Sequence, residues 1–217
     1  MFDSRQKWAS AGFSVLDRSN DKRIMAAQHP CVPGVLFKKY NSTVDIDQRN
    51  NYVARVEGAD CLRAFIFDHQ LQHIVVPRKQ VIDLPVVFSS GGQSSQVLAV
   101  EKFDLIELKA TIKCYRDIDL FILREVCFVL FHFRGLDSIV DNLPFTTEGK
   151  VAFIDTERWR GGRRRPYLRH LRRYLTSDRR KIAKKLFRQF QGGRLDIGAD
   201  DFLDEEDTSS WSLLSSS

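Results

Sequence analysis

The sequence contains no apolar run long enough to span a lipid bilayer. Its longest apolar region, residues 126–133, falls well short of the roughly 18 residues that a membrane helix needs, and it includes His132. The first residues, MFDSRQKW, lack the apolar segment of a secretory signal peptide. We therefore expect a cytoplasmic protein, although export by a route without a signal peptide would leave the same pattern.

Cysteine is also scarce. The 4 cysteines, Cys31, Cys61, Cys114 and Cys127, are widely separated, and no two of them form a CxxC pair. This spacing favours unpaired thiols in a reducing compartment over a zinc site or a disulfide scaffold. The chain does contain 43% apolar residues and 16 Phe, which can supply the core of one domain or of two small lobes.

Acidic side chains are almost missing from one segment. Between Arg158 and Arg188 there are 14 Lys and Arg but a single acid, Asp178, so this segment carries a charge of +13. Subtracting it from the +6 of the whole chain leaves −7 for the other residues. The sequence therefore predicts an acidic body with one strongly basic region. Residues 194–217 are acidic and then serine-rich, and we expect them to form a disordered tail.

Hydrophobic periodicity and turn residues divide the chain into strands in its first half and helices in its second. The Gly- and Ser-rich residues 89–95 predict a flexible loop. The pattern predicts strands over residues 34–40, 72–77 and 96–106, and helices over residues 47–70, 118–133, 167–174 and 178–190. This is an α+β fold with two lobes: residues 1–106 are β-rich with one helix, and residues 107–193 are mostly helical.

Acidic and amide side chains bracket a predicted hairpin in the stretch GLDSIVDNLPFTTEGKVAFIDTE. Asp137 and Asn142 precede its first apolar run, and Asp155 ends its second. Because Asn142 opens one strand and Asp155 ends the partner strand, both side chains are expected at the same end of the hairpin. Oxygen ligands of this kind suit Mg²⁺, which shares its coordination shell with water and substrate phosphates.

The motif Asp-x-x-x-x-Asn, followed by a hairpin and a strand that ends in Asp, resembles the catalytic core of the protein kinase superfamily. The ending Ile-Asp-x-Glu resembles the aminoglycoside-phosphotransferase-like branch. The resemblance implies that Asp137 orients the attacking hydroxyl, that Asn142 and Asp155 bind metal, and that Glu157 is an auxiliary acid. It also implies ATP and Mg²⁺ as cofactors and a two-lobed kinase-like fold.

The sequence departs from that family in three places. Gly135 stands where the family's catalytic loop has His, and no APE motif follows Asp155. The segment WRGGRRRP takes the place of a long activation loop. These departures leave the substrate class open, so the phosphate acceptor is predicted only as a hydroxyl of a protein or a small molecule.

The resemblance also requires a lysine for the nucleotide phosphates, and VLFK ends in a suitable one. Lys38 fits the VAIK pattern of an alternating strand that ends in lysine, and a long flexible ammonium reaches phosphate oxygens well. Lys39 is expected to face the other side of the strand. Lys79 is the competing candidate, but Pro77 argues against a central strand at that point.

The other nucleotide contacts are predicted from the same resemblance. Glu57 is the acid that would hold the phosphate-binding lysine, with Asp60 as the next choice. Backbone groups from Glu101 to Phe103 would meet the adenine. Gly12, in ASAGFSVL, resembles part of a phosphate-covering glycine loop, of which only this glycine is kept.

The basic segment permits more than one interpretation. A solvated face is the simplest, and an anion-binding surface for an acidic protein, inositol phosphate or other polyphosphate, nucleic acid or anionic membrane is the alternative. The candidate anion-binding residues are Arg163, Arg164, Arg165, Arg169, Arg172 and Arg173. The sequence as a whole predicts an ATP- and Mg²⁺-dependent phosphotransferase. The alternatives are a pseudokinase that only binds, and an anion- or nucleic-acid-binding protein that uses residues 163–188.

Overall fold

The computed structural model describes residues 3–16, 24–40, 45–83, 96–157, 159 and 168–193. The loop predicted over residues 89–95, the tail predicted over residues 194–217, and Arg163, Arg164 and Arg165 lie outside the described residues. Along the chain the elements are α1 (Asp3–Ser10), β1 (Ser14–Leu16), β2 (Ile24–Gln28), β3 (Val35–Tyr40), α2 (Asp45–Asp68), β4 (Ile74–Val75), β5 (Lys79–Asp83), β6 (Gln96–Glu101), α3 (Leu108–Arg116), α4 (Leu120–His132), a 3-10 helix (Val140–Asn142), β7 (Val151–Ala152), α5 (Leu168–Leu171) and α6 (Ser177–Gln191). The predicted α+β class is confirmed.

Five strands form one antiparallel sheet in the order β1-β2-β3-β6-β5. The strand that carries the predicted lysine lies inside this sheet, and Lys38 is paired with Leu98 of β6. Strand β5 is at the edge, where Lys79 is paired with Val100. Pro77 lies just before β5, so the residue that cannot donate to a strand ladder stays outside it.

A second, two-stranded sheet joins β4 to β7 in parallel, with Ile74 opposite Val151. The pairing continues beyond the strands, because the Phe153 N–H donates to the Val75 carbonyl at 2.9 Å. This sheet ties the segment that follows α2 to the predicted hairpin. It therefore positions the end of the hairpin that leads to Asp155.

Helix α2 connects two hydrophobic clusters. In its N-terminal half, the buried Tyr52 packs with Leu98 of the large sheet. Further along the helix, Ala59 and Leu62 belong to the large cluster that α4 and α6 build. The residues of α2 between these contacts therefore lie where the sheet meets the helical part of the protein.

Helix α6 packs its apolar side against α4. The rings of Phe128 and Phe190 meet edge to face, with centroids 5.2 Å apart. The helix begins after its N-cap residue Thr176, whose Oγ1 accepts a hydrogen bond from the Arg179 N–H at 3.4 Å. Because the apolar side is buried, the cations of this helix lie on its outer side.

Several elements differ from the sequence-based prediction. The predicted strands over residues 72–77 and 96–106 and the predicted helix over residues 167–174 are shorter, and correspond to β4, β6 and α5. Helices α1 and α3, the 3-10 helix and strands β1, β2 and β5 were not predicted. These elements are short, and each of the three strands pairs with a strand that is its neighbour in sequence. Such short segments carry too little periodicity for a local pattern to reveal them.

The structure also bears on two expectations from composition, which concern membrane-spanning helices and the pairing of cysteines. No helix within the described part of the chain is long and apolar enough to cross a membrane. All four cysteines are free thiols, and Cys127 is buried among the core residues of α4. The prediction of unpaired thiols is confirmed.

Candidate functional site

The bracketed hairpin is present as a short backbone ladder. The Thr146 N–H donates to the Lys150 carbonyl at 2.8 Å, and Gly149 makes the turn with a φ of +80°. At the other end the Ile154 N–H donates to the Asn142 carbonyl at 3.1 Å. Asn142 and the residue that follows Ile154, Asp155, therefore lie at the same end of the hairpin.

Three carboxylates line one small pocket at this end. The pocket is formed by Asp137, Asp155 and Glu157 together with Leu136. The Asp137 carboxylate is held from its own loop, because Oδ1 accepts a hydrogen bond from the Ile139 N–H at 3.2 Å. Two acids that are 18 positions apart in sequence thus face a common space.

Arg55 of helix α2 is the cation that neutralises two of these acids. Its guanidinium donates to Asp155 Oδ1 at 2.8 Å and also forms an ion pair with Glu157 Oε2. The arginine side chain is only 10% exposed, whereas the two carboxylates are 27% and 26% exposed. A largely buried charge is stable when it is paired and hydrogen-bonded. The two contacts of the Arg55 guanidinium therefore fix α2 against the end of the hairpin.

Thr156 fixes the same contact from its other side. Its buried hydroxyl donates to the Arg55 carbonyl at 2.7 Å and accepts a hydrogen bond from Lys79 Nζ at 2.8 Å. Lys79 also donates to the Ile154 carbonyl at 2.9 Å. A Cβ atom at Gly58 would lie 2.2 Å from the Thr156 carbonyl oxygen, so α2 approaches this segment as closely as only glycine allows.

Lys38 lies near this carboxylate pocket. Burial lowers the pKa of its ammonium, the nearby Arg55 lowers it further, and Asp155 acts in the opposite direction. Asp155 is thus an acid that supports the Lys38 charge. The predicted role of Glu57 as the partner of Lys38 stays a prediction, and the other candidate, Asp60, lies 3.8 Å from Arg63 on its own helix.

Lys79 is a buried lysine at the same site. Its pKa is lowered to about 7, mainly by burial and next by the positive charge of Lys38, while Asp155 acts in the opposite direction. The sequence offered Lys79 as an alternative to Lys38, and the structure brings both to the same carboxylate. Lys79 donates hydrogen bonds to the Thr156 hydroxyl and the Ile154 carbonyl.

The pH dependence of stability should report on Lys79. Between its folded pKa of about 7 and the ordinary lysine value of 10.5, the unfolded chain binds one more proton than the folded protein at this position. The free energy of unfolding should therefore rise with pH across this window, by at most about 1.4 kcal/mol per pH unit from this residue. Urea unfolding of the wild type and Lys79→Met at pH 7, 8 and 9 measures the difference. Parallel pH profiles for the two proteins would contradict the assignment.

The predicted adenine contacts lie on a different surface. The backbone N–H of Glu101 donates to the Arg78 carbonyl at 2.9 Å, and that of Lys102 donates to the Gly34 carbonyl at 2.8 Å. Glu101 and Phe103 line a groove of mixed polarity with the C-terminal end of α2, and no described residue lines both this groove and the carboxylate pocket. Two of the backbone donors expected to meet adenine are thus already used within the protein.

Gly12 does not lie between two strands. It is in the turn that joins α1 to β1, with a φ of +87°, and its N–H donates to the Ala9 carbonyl at 3.0 Å. A loop that covers phosphates in the manner predicted would join β1 to β2, and that connection, residues 17–23, lies outside the described residues. The described residues give the predicted role of Gly12 no support.

The oxygen donors match Mg²⁺ in chemical kind. The carboxylates of Asp137, Asp155 and Glu157 face one pocket. Asn142 lies near them in the hairpin, because its carbonyl accepts a hydrogen bond from the N–H of Ile154, the residue before Asp155. Within the described residues, no group of three or more His, Cys, Asp or Glu side chains is gathered closely enough to hold a metal. In this arrangement, the Arg55 guanidinium is the cation that neutralises two of these carboxylates, Asp155 and Glu157.

Sequence reasoning missed Arg55, Gly58 and Thr156. Two signals were available: Arg55 follows Tyr52 by three positions on the buried side of α2, and a cation on an apolar stripe predicts a buried ion pair. A glycine within a long helix, such as Gly58, indicates close approach of another segment. No local signal identifies Thr156, because its partners come from α2 and β5.

Comparison with protein-family models finds no match to this chain, and comparison with curated proteins finds none either. The functional argument therefore rests on the geometry of the carboxylate pocket and on the lysines and arginine beside it.

Proposed function

We propose that the protein is an ATP- and Mg²⁺-dependent phosphotransferase that acts on a hydroxyl group of a protein or small molecule. The observation that supports this most directly is that Asp137 and Asp155 line one pocket, while Lys38 of the sheet acts electrostatically on Asp155. Phosphoryl transfer needs little covalent chemistry from the protein. It needs groups that position the phosphate and the acceptor and stabilise charge, and this site offers both.

Each residue has a distinct role in the proposal. Asp137, held by the Ile139 N–H, orients the acceptor hydroxyl and accepts its proton. Lys38 binds a phosphate oxygen. Arg55 positions the Asp155 and Glu157 carboxylates from helix α2.

Asn142, Asp155 and Glu157 would hold the metal, whose chemical contribution is to neutralise charge on the transferring phosphate. Lys38, Lys79 and Arg55 all act electrostatically on Asp155, so basic side chains are present at the site before any ligand binds. An incoming nucleotide, which is strongly anionic, would favour the protonated forms of both lysines.

The order of elements supports a kinase-like fold. The lysine lies on β3 of an antiparallel sheet, the next helix is α2, and strand β6 leads through a short linker to the helices and the hairpin. This is the order that the sequence resemblance implied. Two lobes would then meet at α2, whose ends belong to different hydrophobic clusters.

The test is Mg²⁺-dependent ATP turnover by the full chain, with and without a panel of hydroxyl acceptors. Asp137→Asn should lower kcat by about 10²- to 10⁴-fold, the range typical of a general base, while its thermal stability stays close to wild type. Asp141→Asn is the matched control, because Asp141 is an exposed acid on the same segment. Equal turnover by wild type and Asp137→Asn would overturn the proposal.

A second candidate is a binding module that keeps this site without turnover. The pairing of Arg55 with both Asp155 and Glu157 favours it, because two of the proposed metal ligands already have a cation partner. The two candidates differ in one measurement. A binding module would retain nucleotide affinity in calorimetry, with no ATP consumed by the wild type under any metal or acceptor tested.

A further inference from the structure

Four arginines line a single open pocket on the basic segment, and they are its only lining residues among those that the structure describes. Arg169 comes from α5, Arg172 and Arg173 from the turn that follows, and Arg180 from the first turns of α6. The pocket shares no residue with the carboxylate site. Arg163, Arg164 and Arg165, predicted as part of the same anion surface, lie outside the described residues.

A rigid framework carries these four side chains. Leu171 and Leu175, on either side of the turn, are buried in the large hydrophobic cluster. The Arg180 Nε–H donates to the Leu175 carbonyl at 2.9 Å, which holds its guanidinium against the turn. The Arg172 N–H continues the α5 helical pattern by donating to the Leu168 carbonyl at 2.9 Å. The arginines therefore start from fixed backbone positions that converge on one space.

No acid is present among the described residues that line this pocket. The nearest acid in sequence, Asp178, is 81% exposed and lies 3.6 Å from Lys181 on its own helix, so it is directed to another cation. Four like charges around one pocket repel one another, and an anionic ligand relieves that repulsion. Arginine forks also match phosphate geometry with paired hydrogen bonds, which lysines on a solvated face do not.

The shape of the surface narrows the class of ligand. Helix α6 buries Leu186, Phe187 and Phe190, so it has no apolar side left to enter a bilayer. Tyr174, the aromatic residue beside the arginines, packs on the core, so the described part of the surface offers no platform for stacked bases. Convergence on one pocket favours phosphates held close together on a small scaffold over the evenly spaced phosphates of a duplex.

We propose that the pocket formed by Arg169, Arg172, Arg173 and Arg180 binds a compact cluster of phosphate groups, the chemistry of an inositol polyphosphate or of a phosphoinositide headgroup. This site is independent of the proposed phosphotransferase activity. Each guanidinium that forms paired hydrogen bonds to phosphate contributes to affinity, so loss of two should weaken binding by at least about tenfold.

Calorimetry of the full chain with inositol hexakisphosphate at about 0.15 M salt, near physiological ionic strength, tests the proposal. The pocket variant is Arg172→Gln with Arg173→Gln, and the control is Lys184→Gln with Arg188→Gln, which removes the same charge from the outer face of α6. We expect Kd to rise at least about tenfold for the pocket variant and less than about threefold for the control. Thermal denaturation confirms that both variants are folded.

A second experiment, with lipid vesicles, decides whether the bound phosphates belong to a lipid headgroup or to a soluble molecule. Vesicles that contain a phosphoinositide are compared with phosphatidylserine vesicles of equal surface charge, and soluble inositol hexakisphosphate is added as a competitor. Phosphoinositide-selective binding that the competitor removes assigns a lipid headgroup, and binding of the soluble ligand alone assigns a free polyphosphate. Equal loss in both variants, no binding to either ligand, or stronger pocket-dependent binding to duplex RNA would overturn the proposal.

Discussion

Asp155→Asn is expected to lower Mg²⁺-dependent ATP turnover by about 10³-fold or more, equivalent to at least about 4 kcal/mol of activation free energy. The substitution removes the negative charge that supports Lys38, and it removes a proposed metal ligand. It also removes the charge from the acceptor of the 2.8 Å hydrogen bond with Arg55, which then keeps Glu157 as its acid partner. Asparagine has nearly the same shape as aspartate, so the expected effect is one of charge. Steady-state ATP consumption measures it.

Two comparisons make this prediction specific. Asp141→Asn removes an exposed acid from the 3-10 helix near Asn142 and should leave turnover unchanged. A melting temperature close to wild type for Asp155→Asn would separate loss of chemistry from loss of fold. If folded Asp155→Asn consumes ATP at the wild-type rate, Asp155 has no part in phosphoryl transfer and the metal assignment fails with it.

Gly58→Ala is expected to destabilise the protein by about 1–3 kcal/mol, the cost typical of overpacking a well-packed contact. A Cβ at this position would lie 2.2 Å from the Thr156 carbonyl oxygen and 2.6 Å from Trp159 Cδ1. The first of these is a backbone atom, so α2 or the segment after the hairpin must move. Because Thr156 binds Arg55 and Lys79, the same movement should also reduce turnover.

Whether Gly58→Ala lowers or raises the free energy of unfolding shows whether this position is packed against another segment. At an unobstructed position inside a helix, Gly→Ala stabilises by about 1 kcal/mol, because alanine is the better helix former. Gly34→Ala, in the turn before β3, is a control for a Gly→Ala change without steric conflict, since a Cβ there meets nothing within 4 Å. Urea denaturation gives the free energy of unfolding for all three proteins. An increase in that value for Gly58→Ala would show that helix α2 is not packed on Thr156 as described.

Local pattern predicted the elements whose apolar periodicity is long or whose chemistry is unusual. The predicted helix over residues 118–133 is confirmed as α4, and the strand that carries Lys38 is confirmed as β3. The hairpin that ends at Asp155 was predicted because polar residues bracket two apolar runs, and its backbone ladder is present. In each case neighbouring residues in sequence decide the structure, so the pattern is sufficient.

The surroundings of the candidate site could not be predicted in the same way. Glu57 was chosen as the partner of Lys38 because the resemblance called for an acid on the next helix. The structure adds two charges that the pattern did not reveal, because Arg55 of that helix and Asp155 after the hairpin both act on Lys38. Which helix residue faces the site depends on how α2 is rotated between its two hydrophobic clusters. That rotation follows from packing with Leu98 and the large cluster, which are far away in sequence.

The sequence by itself determined the class of fold, the bracketed hairpin and the concentration of positive charge between Arg158 and Arg188, because each is a property of consecutive residues. Only the tertiary structure decided that Arg55 neutralises the two acids after the hairpin, and that Lys79 at a sheet edge binds Thr156. It also decided that four arginines converge on one pocket. Buried ion pairs and convergent charges depend on distances between segments, and these distances are set by the packing of α2, α4 and α6 on a common core.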